Sequence, residues 1–591
     1  LQPVDYTTLM ASCWELQTDW LPARLEQVYQ RDRYTIVLGL RTLRQRGWLT
    51  LSWHPQAARV CIGESPPRTP DTFTFSQQLR HQLNGLALIA IDPIAAWERV
   101  LDLQFARRPG DTALWHLYVE IIGKYSNVIL THADRTIVTA AHQVSAQQSR
   151  VRPIQTGQPY EAPPLLLNSV PTQVESLVQW QARVRLIPGT IARNLLKNYR
   201  GLSTALVQSM LHTAGLDPEQ TTDSLSDLNW QQLYQCWQTW LSALEHHQYQ
   251  PAWTAQGYTV LGWAQIAPAP SVQELLNRYY TEQLDQQNFQ HLHHQLRQIL
   301  KTNLTKLRQK AVLFTERLQQ SDQADRSKEQ ADLLMAYLQD WQPGMQAIVL
   351  PDFVTGQPMT IPLNPEKNAV QNAQAFYKQH QKLKRARTTV EPLLQQVQTE
   401  IDYLEQVETT LAQLERDQQP GDRVALQEIR DELVQQGYLT DPDYNRRAED
   451  SRRVDSSLPY RYHSPSGFEL WVGRNNRQND QLTFRTAGDY DLWFHTQEIP
   501  GSHVLLRLSP GASLEEPDLQ FAADLAAYFS RARHSDQVPV VYTEPRHVYK
   551  PKGAKPGMVV YQNERVCWGC PRQGELYIRA TIQQSENVKP S

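Results

Sequence analysis

DLWFHTQEIPGSHVLLR, Asp491–Arg507, decides how the C-terminal part of the chain is read. Apolar Leu492 and Phe494, then Val504, Leu505 and Leu506, flank a polar centre of His495, Thr496, Gln497, Pro500, Gly501, Ser502 and His503, and Arg507 closes the stretch. The pattern predicts strand, turn, strand, because Pro pre-sets φ and Gly tolerates positive φ in a turn. Its companion VYKPKGAKPGMVVY, Val548–Tyr561, sets Lys550, Lys552 and Lys555 among Pro551, Gly553, Pro556 and Gly557. A loop stiffened in this way and carrying three ammonium groups fits a phosphate cradle. A hairpin with a solvated basic turn fits the same residues, and the residues alone leave both readings open. His495 and His503 flank the turn with no third metal ligand in evidence, so they read as satisfied strand-end histidines.

Outward from this hairpin the pattern stays α+β. YRYHSPSGFELWVGR begins strand alternation at Phe468, Leu470 and Val472, Asn475-Asn476 reads as a turn, and Phe521–Arg533 reads as an amphipathic helix with a basic end. An Arg/Asp/Ser-rich linker over Thr440–Pro459 precedes this domain, placed at 446–591. Before it, Leu300, Leu304, Leu307, Ala311, Phe314 and Leu318, and again Val390, Leu394, Val397, Ile401 and Leu404, alternate spacings of four and three. These are the seams of two long helices, an antiparallel coiled-coil arm over 265–445, with two short strands (Ala347–Leu363) at its tip. Roughly fifty helical residues reach about 75 Å. The arm carries two basic clusters: Lys301, Lys306, Arg308 and Lys310, then the denser Lys378, Lys382, Lys384, Arg385 and Arg387. Each fits a solvated helix face, and the second also suits an RNA backbone.

Residues 166–264 read as helical. Arg183–Leu216 holds two helix candidates around Arg200-Gly201-Leu202-Ser203, with Ser203 a cap and Gly215 a terminator; backbone N–H groups at such a turn can hold a phosphate. Trp230, Trp237 and Trp240 at helical spacing read as core. Residues 1–165 read as α+β: strands at Tyr34–Arg41, Trp48–Trp53 and Ala58–Gly63 with turns at Arg31-Asp32 and Arg46-Gly47, a helix over FSQQLRHQL, a further strand in ERVLDLQFA, and a helix candidate near Trp115–Ile122.

Composition excludes several classes. A net charge of −3 over 591 residues gives no global basic field, so polyanion binding has to rest on local patches. No apolar run approaches the roughly 18–20 residues that span a bilayer. The start, with Asp5 and Glu15 and no basic region, does not read as a signal peptide, and the expected location is the cytoplasm. Five cysteines make no disulfide framework, and Cys567/Cys570 alone are a weak metal signal. No metal, cofactor, catalytic residue, membrane or DNA partner is expected.

WFHTQEIPGSHV and KPKGAKPGMVVY resemble the two hallmark segments of the RNA-binding NFACT-R domain, which closes chains of the NFACT family. RLEQVYQ, FSQQLRHQLNG, ERVLDLQF, VEIIGKYSNVIL and VRPIQTGQPYEAPP resemble that family's N-terminal domain, the Arg200–Ser203 turn its helix-hairpin-helix element, and NAQAFYKQHQKLKRA its middle segment. The resemblance implies a multidomain α+β protein with a glycosylase-like N-terminal domain, a helix-hairpin-helix insert, a coiled-coil arm with a small β tip, and an NFACT-R domain. It implies ribosome quality control: binding to large ribosomal subunits (rRNA and the stalk-base region) obstructed by peptidyl-tRNA, recruitment of tRNA, alanyl-tRNA in bacteria, and untemplated tailing of the stalled chain. The bond-forming centre would be ribosomal. The family's Asp-Arg pair, tied to tRNA handling, corresponds to Glu98-Arg99, where Glu moves the carboxylate out by a methylene. Arg150 and Arg152 join it as implied tRNA contacts. Arg200, Gly201, Ser203, the second arm cluster, His495, His503, Arg507 and the three loop lysines are the implied RNA contacts. Glycosylase chemistry is not expected, since Pro3 is preceded by Leu1-Gln2 and no glutamate follows it. The family's older fibronectin-binding label raises a surface adhesin as an alternative, and binding to the ribosome without tailing is another.

Overall fold

Asp5 starts the first helix, α1 (Tyr6–Trp20), its carboxylate accepting the Thr8 N–H at 2.8 Å. The structure is a computed structural model that describes all residues except 68–69, 150, 165–167, 322, 415–420, 442–456 and 588–591, with the backbone alone over 582–587. The chain divides into two units, Leu1–Gln287 and Asn288–Ser591.

In the first unit, β1 (Ala23–Asp32), β2 (Thr35–Arg41), β3 (Arg46–Ser52) and β4 (Arg59–Gly63) form a meander, followed by α2 (Thr74–Leu83). Strands β5 (Ala87–Pro93), β6 (Val100–Ala106), β7 (Trp115–Glu120), β8 (Asn127–His132) and β9 (Ile137–Ala140) complete a nine-stranded sheet in the order β4-β3-β2-β1-β5-β6-β7-β8-β9. Its core packs Leu9, Leu16, Ile36, Leu38, Leu49, Leu79, Leu103 and Leu117, all fully buried.

One element here went unread and two sequence expectations fail. Helix α1 buries Thr7, Thr8 and Ser12 as well as Leu9, Cys13 and Leu16, so it presents no clean apolar stripe to read. Trp115–Ile122 is not helical: β7 pairs with both β6 and β8, and its buried run Leu117–Glu120 lacks the alternation that marks a strand with one wet face. Arg46-Gly47 is not a turn. The reversal is at Thr42–Gln45, where the Thr42 N–H donates to the Gln45 carbonyl at 2.9 Å. Gly47 lies inside β3 because a Cβ there would meet Trp20 Cη2 at 2.3 Å.

Helices α3 (Leu177–Arg185), α4 (Ile191–Asn198), α5 (Thr204–Thr213) and α6 (Asp227–Glu245) build a second core in this unit. Trp180, Trp230, Trp237 and Trp240 are buried together at its centre, with Trp237 5.6 Å from Trp180 and 5.0 Å from Trp240. The tryptophans are therefore core, as their spacing predicts. A small sheet of β10 (Ala252–Thr254), β11 (Gly257–Thr259) and β12 (Ala267–Pro268) follows. The N-terminal turns of α7 (Val272–Ser321) then pack Leu275, Leu276 and Tyr280 onto the sheet core.

In the second unit the rest of α7 pairs with α9 (Ala369–Gln413) along the predicted heptads: Leu300, Leu304, Phe314, Val390, Val397, Ile401 and Leu404 are buried together. Between them, α8 (Gln323–Ala336), β13 (Ala347–Pro351) and β14 (Pro358–Pro362) close a separate small core around Leu333, Leu334, Ile348 and Ile361. Helix α10 (Asp422–Gln435) leads to the C-terminal domain. That domain comprises β15 (Tyr460–His463), β16 (Glu469–Val472), α11 (Asn476–Gln481), β17 (Leu492–Thr496), β18 (Val504–Leu506), α12 (Glu516–Tyr528), β19 (Val538–Thr543), β20 (Val548–Tyr549), β21 (Val560–Tyr561), β22 (Arg565–Gly569) and α13 (Pro571–Asn587). The sheet order is β15-β16-β18-β17-β19-β22, and β17 and β18 form the predicted hairpin, Phe494 opposite Val504. Asn475 does not turn the chain but caps α11, accepting the Gln478 N–H at 3.0 Å. Helix α12 ends at Tyr528, before Arg531 and Arg533, because the chain turns at Ser530–Arg533 to pair Gly501 with Ser530.

Three carboxylates on α10 bind it to this domain. Asp422 accepts from Arg474 Nη1 at 2.6 Å and Tyr460 Oη at 3.0 Å. Glu428 accepts from Asn475 Nδ2 at 2.6 Å, and Glu432 from Asn476 Nδ2 at 3.0 Å and Tyr403 Oη at 2.8 Å. Burial pushes the Glu432 carboxyl above its ordinary value.

Trp237→Ala empties the centre of the tryptophan core. It is expected to lower the stability of the first unit by about 3–5 kcal/mol in a denaturant titration; a change under about 1 kcal/mol would show the ring to be dispensable.

Candidate nucleic-acid interface

In the first unit the fold brings Glu98-Arg99 and Arg200–Ser203 to one place, the N-terminus of α1. Asp5 is the hinge of the arrangement. Its Oδ1 caps α1, and its Oδ2 accepts from Ser203 Oγ at 2.6 Å. Ser203 Oγ in turn accepts the Leu206 N–H at 3.0 Å and so caps α5 as expected, with Gly215 in the left-handed region just past the helix. One carboxylate thus serves two helix N-termini, where negative charge is favoured. Arg99 Nη1 donates to the Val4 carbonyl at 3.4 Å. Burial pulls the Arg99 guanidinium below its ordinary value, while Asp5 and Glu98 pull it back. The Glu98 carboxylate lies 3.6 Å from Arg200 Nη1, with 12% of its side chain exposed. Burial outweighs the nearby guanidinium groups and raises its pKa. Trp97, at a φ of 65°, stacks on Tyr6 at 4.8 Å. Gly201 has a φ of 80° and no room for a side chain, since a Cβ would meet Trp97 Cε3 at 2.5 Å. Asp5, Tyr6 and Trp97 were not among the residues expected. The Asp5-Tyr6-Thr7-Thr8 run, an Asp cap ahead of a helix, was the available signal for the first.

The other N-terminal arginines stand elsewhere. Arg150 lies outside the described residues. Arg152 is bidentate to Glu120, with Nη1 2.9 Å from Oε2, and Tyr160 Oη donates to the same carboxylate at 2.9 Å. Glu120 is fully enclosed and Arg152 is 12% exposed. Burial alone would lower the Arg152 pKa, but the hydrogen bonds and charge of Glu120, together with Tyr160, outweigh it and raise it. The guanidinium is therefore engaged inside the fold.

In the second unit the arm cluster is open. Lys378, Lys382, Lys384, Arg385 and Arg387 are all exposed on α9. The other cluster is exposed too, with Arg308 bound to Glu405 at 2.6 Å. The lysine loop between β20 and β21 is mostly docked. Lys550 pairs with Asp480, and Lys555 is enclosed by the Tyr403 and Tyr438 rings at 4.9 and 4.8 Å while donating to Tyr438 Oη at 3.1 Å. Lys552 faces solvent. His495 Nε2 lies 3.2 Å from the Gly501 carbonyl, and buried His503 places Nδ1 2.7 Å from Thr483 Oγ1. Burial lowers the pKa of His495 and, helped by His495, brings His503 to about 3. Arg507 binds Asp491 at 3.0 Å and, with Arg461, lies over the Trp471 ring. The three loop lysines therefore do not converge on one cradle. Among the described residues, no group of three or more His, Cys, Asp and Glu is placed to hold a metal, and no helix is long and apolar enough to cross a membrane.

Comparison with known proteins gives this geometry its class. The model of the NFACT N-terminal and middle domains matches residues 5–452, and that of the NFACT protein RNA binding domain matches residues 459–563. The chain belongs to the NFACT family and carries its RNA-binding domain. It is 30% identical to a Bacillus subtilis protein named Rqc2 homolog RqcH, over 94% of this chain and 96% of that one. A Streptococcus suis protein of the same name is 29% identical, over 95% of this chain and 97% of that one. Among solved structures, the C-terminal part of the fibronectin/fibrinogen-binding protein from Streptococcus suis is 30% identical, covering 48% of this chain and 95% of that one at a TM-score of 0.36.

Removing Arg152 leaves Glu120 buried and unpaired. Arg152→Ala is expected to cost about 3–5 kcal/mol in equilibrium unfolding, whereas a loss under 1 kcal/mol would mean that water reaches Glu120. His503 supplies a pH test. Its folded pKa lies below the unfolded value, so the unfolded chain binds the extra proton and stability falls as pH drops from about 6.5 toward 3. The Tm of the native protein should therefore fall more steeply over that window than that of His503→Asn; parallel profiles would show that His503 does not contribute.

Proposed function

We propose that the protein is a ribosome quality-control factor. It binds large ribosomal subunits obstructed by peptidyl-tRNA, recruits aminoacylated tRNA, alanyl-tRNA in a bacterial setting, and supports untemplated C-terminal tailing of the stalled chain. Peptide-bond formation stays with the ribosomal centre, and the protein positions substrates rather than acting as an enzyme. Membership of the NFACT family, the RNA-binding domain and the near full-length likeness to proteins named Rqc2 homolog RqcH support the reading.

The observation that carries it is the solvent-facing run of Lys378, Lys382, Lys384, Arg385 and Arg387 in a chain whose total charge is −3. Concentrated, unburied cations on a helix face suit a phosphate backbone, and binding through them weakens as rising salt makes counterion release less favourable. In the first unit, Arg99 and Arg200 beside the Asp5-capped helix are the candidate tRNA contacts. Glu98, turned toward Arg200, takes the position of the acidic partner, and Ser203 and Gly201 hold the turn in place.

Co-sedimentation with large ribosomal subunits at low and high salt tests this. Lys382, Lys384 and Arg385 exchanged for Glu are expected to reduce subunit recovery at least about tenfold. Arg99→Ala is expected to lose bound tRNA while keeping the subunit. If both variants recover tRNA and subunits as the native protein does, the assignment of these residues fails.

A further inference from the structure

A cavity of about 330 Å³ opens in the second unit where α7 and α9 meet the chain after α12. Its charged lining is lopsided. Arg297, Arg531 and Arg533 face it with His293 and His534, and among the described residues lining it Glu408 alone is acidic. Outside the lining, Glu405 is shared between Arg531 and Arg308, at 2.6 Å from each. Arg533 rests on neutral groups: its Nη2 donates to Tyr528 Oη at 3.3 Å and its guanidinium lies 5.0 Å from that ring's centre. Gln413 also lines the cavity. Its Oε1 accepts from Ser502 Oγ at 3.2 Å, while its Nε2 is buried with no acceptor among the described residues. A buried donor left unpaired is unfavourable, and an anionic oxygen in the cavity would satisfy it.

We infer that this cavity binds a phosphate-bearing group of nucleotide size. Guanidinium forks and an amide N–H are the donors that pair best with phosphate oxygens. The volume lies at the lower end of the roughly 300–1,000 Å³ typical of small-ligand sites, so it takes one nucleotide unit and excludes a duplex. The same chemistry is offered by one residue of an RNA strand and by a free nucleotide. The first source rests on the RNA-binding reading given above, and the second does not.

The test is isothermal titration of the full chain at low salt with adenosine monophosphate and with a single-stranded uridine hexanucleotide. The native protein, Arg533→Gln and Gln413→Leu are compared, each checked for an unchanged Tm. One-to-one binding that weakens about tenfold or more in Arg533→Gln supports the site. If that variant fails to fold, Gln413→Leu, which removes the orphaned donor without touching a charge, carries the comparison. A loss confined to the hexanucleotide assigns the site to an RNA strand, and a loss seen also with the mononucleotide assigns it to a free nucleotide. If neither ligand binds, or the folded variants bind as the native protein does, the inference is overturned. Subunit co-sedimentation separates the two levels: flat titrations with intact subunit recovery sink this site alone, whereas specific titrations without subunit recovery leave the site standing and remove the ribosomal reading.

Discussion

The carboxylates of α10 are the constraint on which the second unit depends. Asp422, Glu428 and Glu432 recur on one helix, and each meets a donor from the C-terminal domain: Arg474, Asn475 and Asn476. The Asp422–Arg474 pair is nearly dry, with side chains 5% and 6% exposed. Charges in such a place hold only when paired and hydrogen-bonded, so the seam dictates how α10 meets β16 and α11. The position of Tyr403 and Tyr438 follows from it, and with them the cage around Lys555. A polar seam of this kind contributes little net stability compared with an apolar one, but it admits few alternative registers.

The same rule decides which cations remain available to a polyanion. Arg152 is spent on Glu120, Arg474 on Asp422, Lys550 on Asp480 and Arg507 on Asp491. Lys555 is held by two aromatic rings. The arm cluster differs in exposure: Lys378, Lys382, Lys384 and Arg385 project from α9 into solvent, while the same stretch of helix turns Tyr377 and His380 toward α8. In the first unit the exception is Arg99 with Arg200, set against Asp5 and Glu98 in a half-buried setting where neither acid is fully engaged by a guanidinium at close range.

Periodicity made much of the architecture legible. The two heptad seams, the β17–β18 hairpin, the β2–β4 meander and the tryptophan core follow from side chains that repeat with the period of their element. Where burial is two-sided the signal disappears. Strand β7 has neighbours on both edges and a buried run through Glu120, and α1 is enclosed on most of its circumference, so neither carries a contrast between wet and dry faces. Glycine misled once, at Gly47, because close approach of Trp20 and a turn impose the same residue. The motifs of the candidate interface were legible as residue types; their partners were not, since Asp5 and Ser203 are joined by a single hydrogen bond across most of the first unit's sequence.

By itself the sequence determined the family, the order of its α+β, helical, coiled-coil and RNA-binding segments, and a set of cations offered as candidate RNA contacts. Local pattern suffices for these, because helical and strand periods and turn residues act over a few positions. Only the tertiary structure decided which cations face outward, that Glu98-Arg99 and Arg200–Ser203 share one corner at Asp5, and that Arg297, Arg531 and Arg533 line one cavity. Pairing and burial of charge depend on which distant carboxylate or ring arrives beside each group, and no local pattern encodes that arrival.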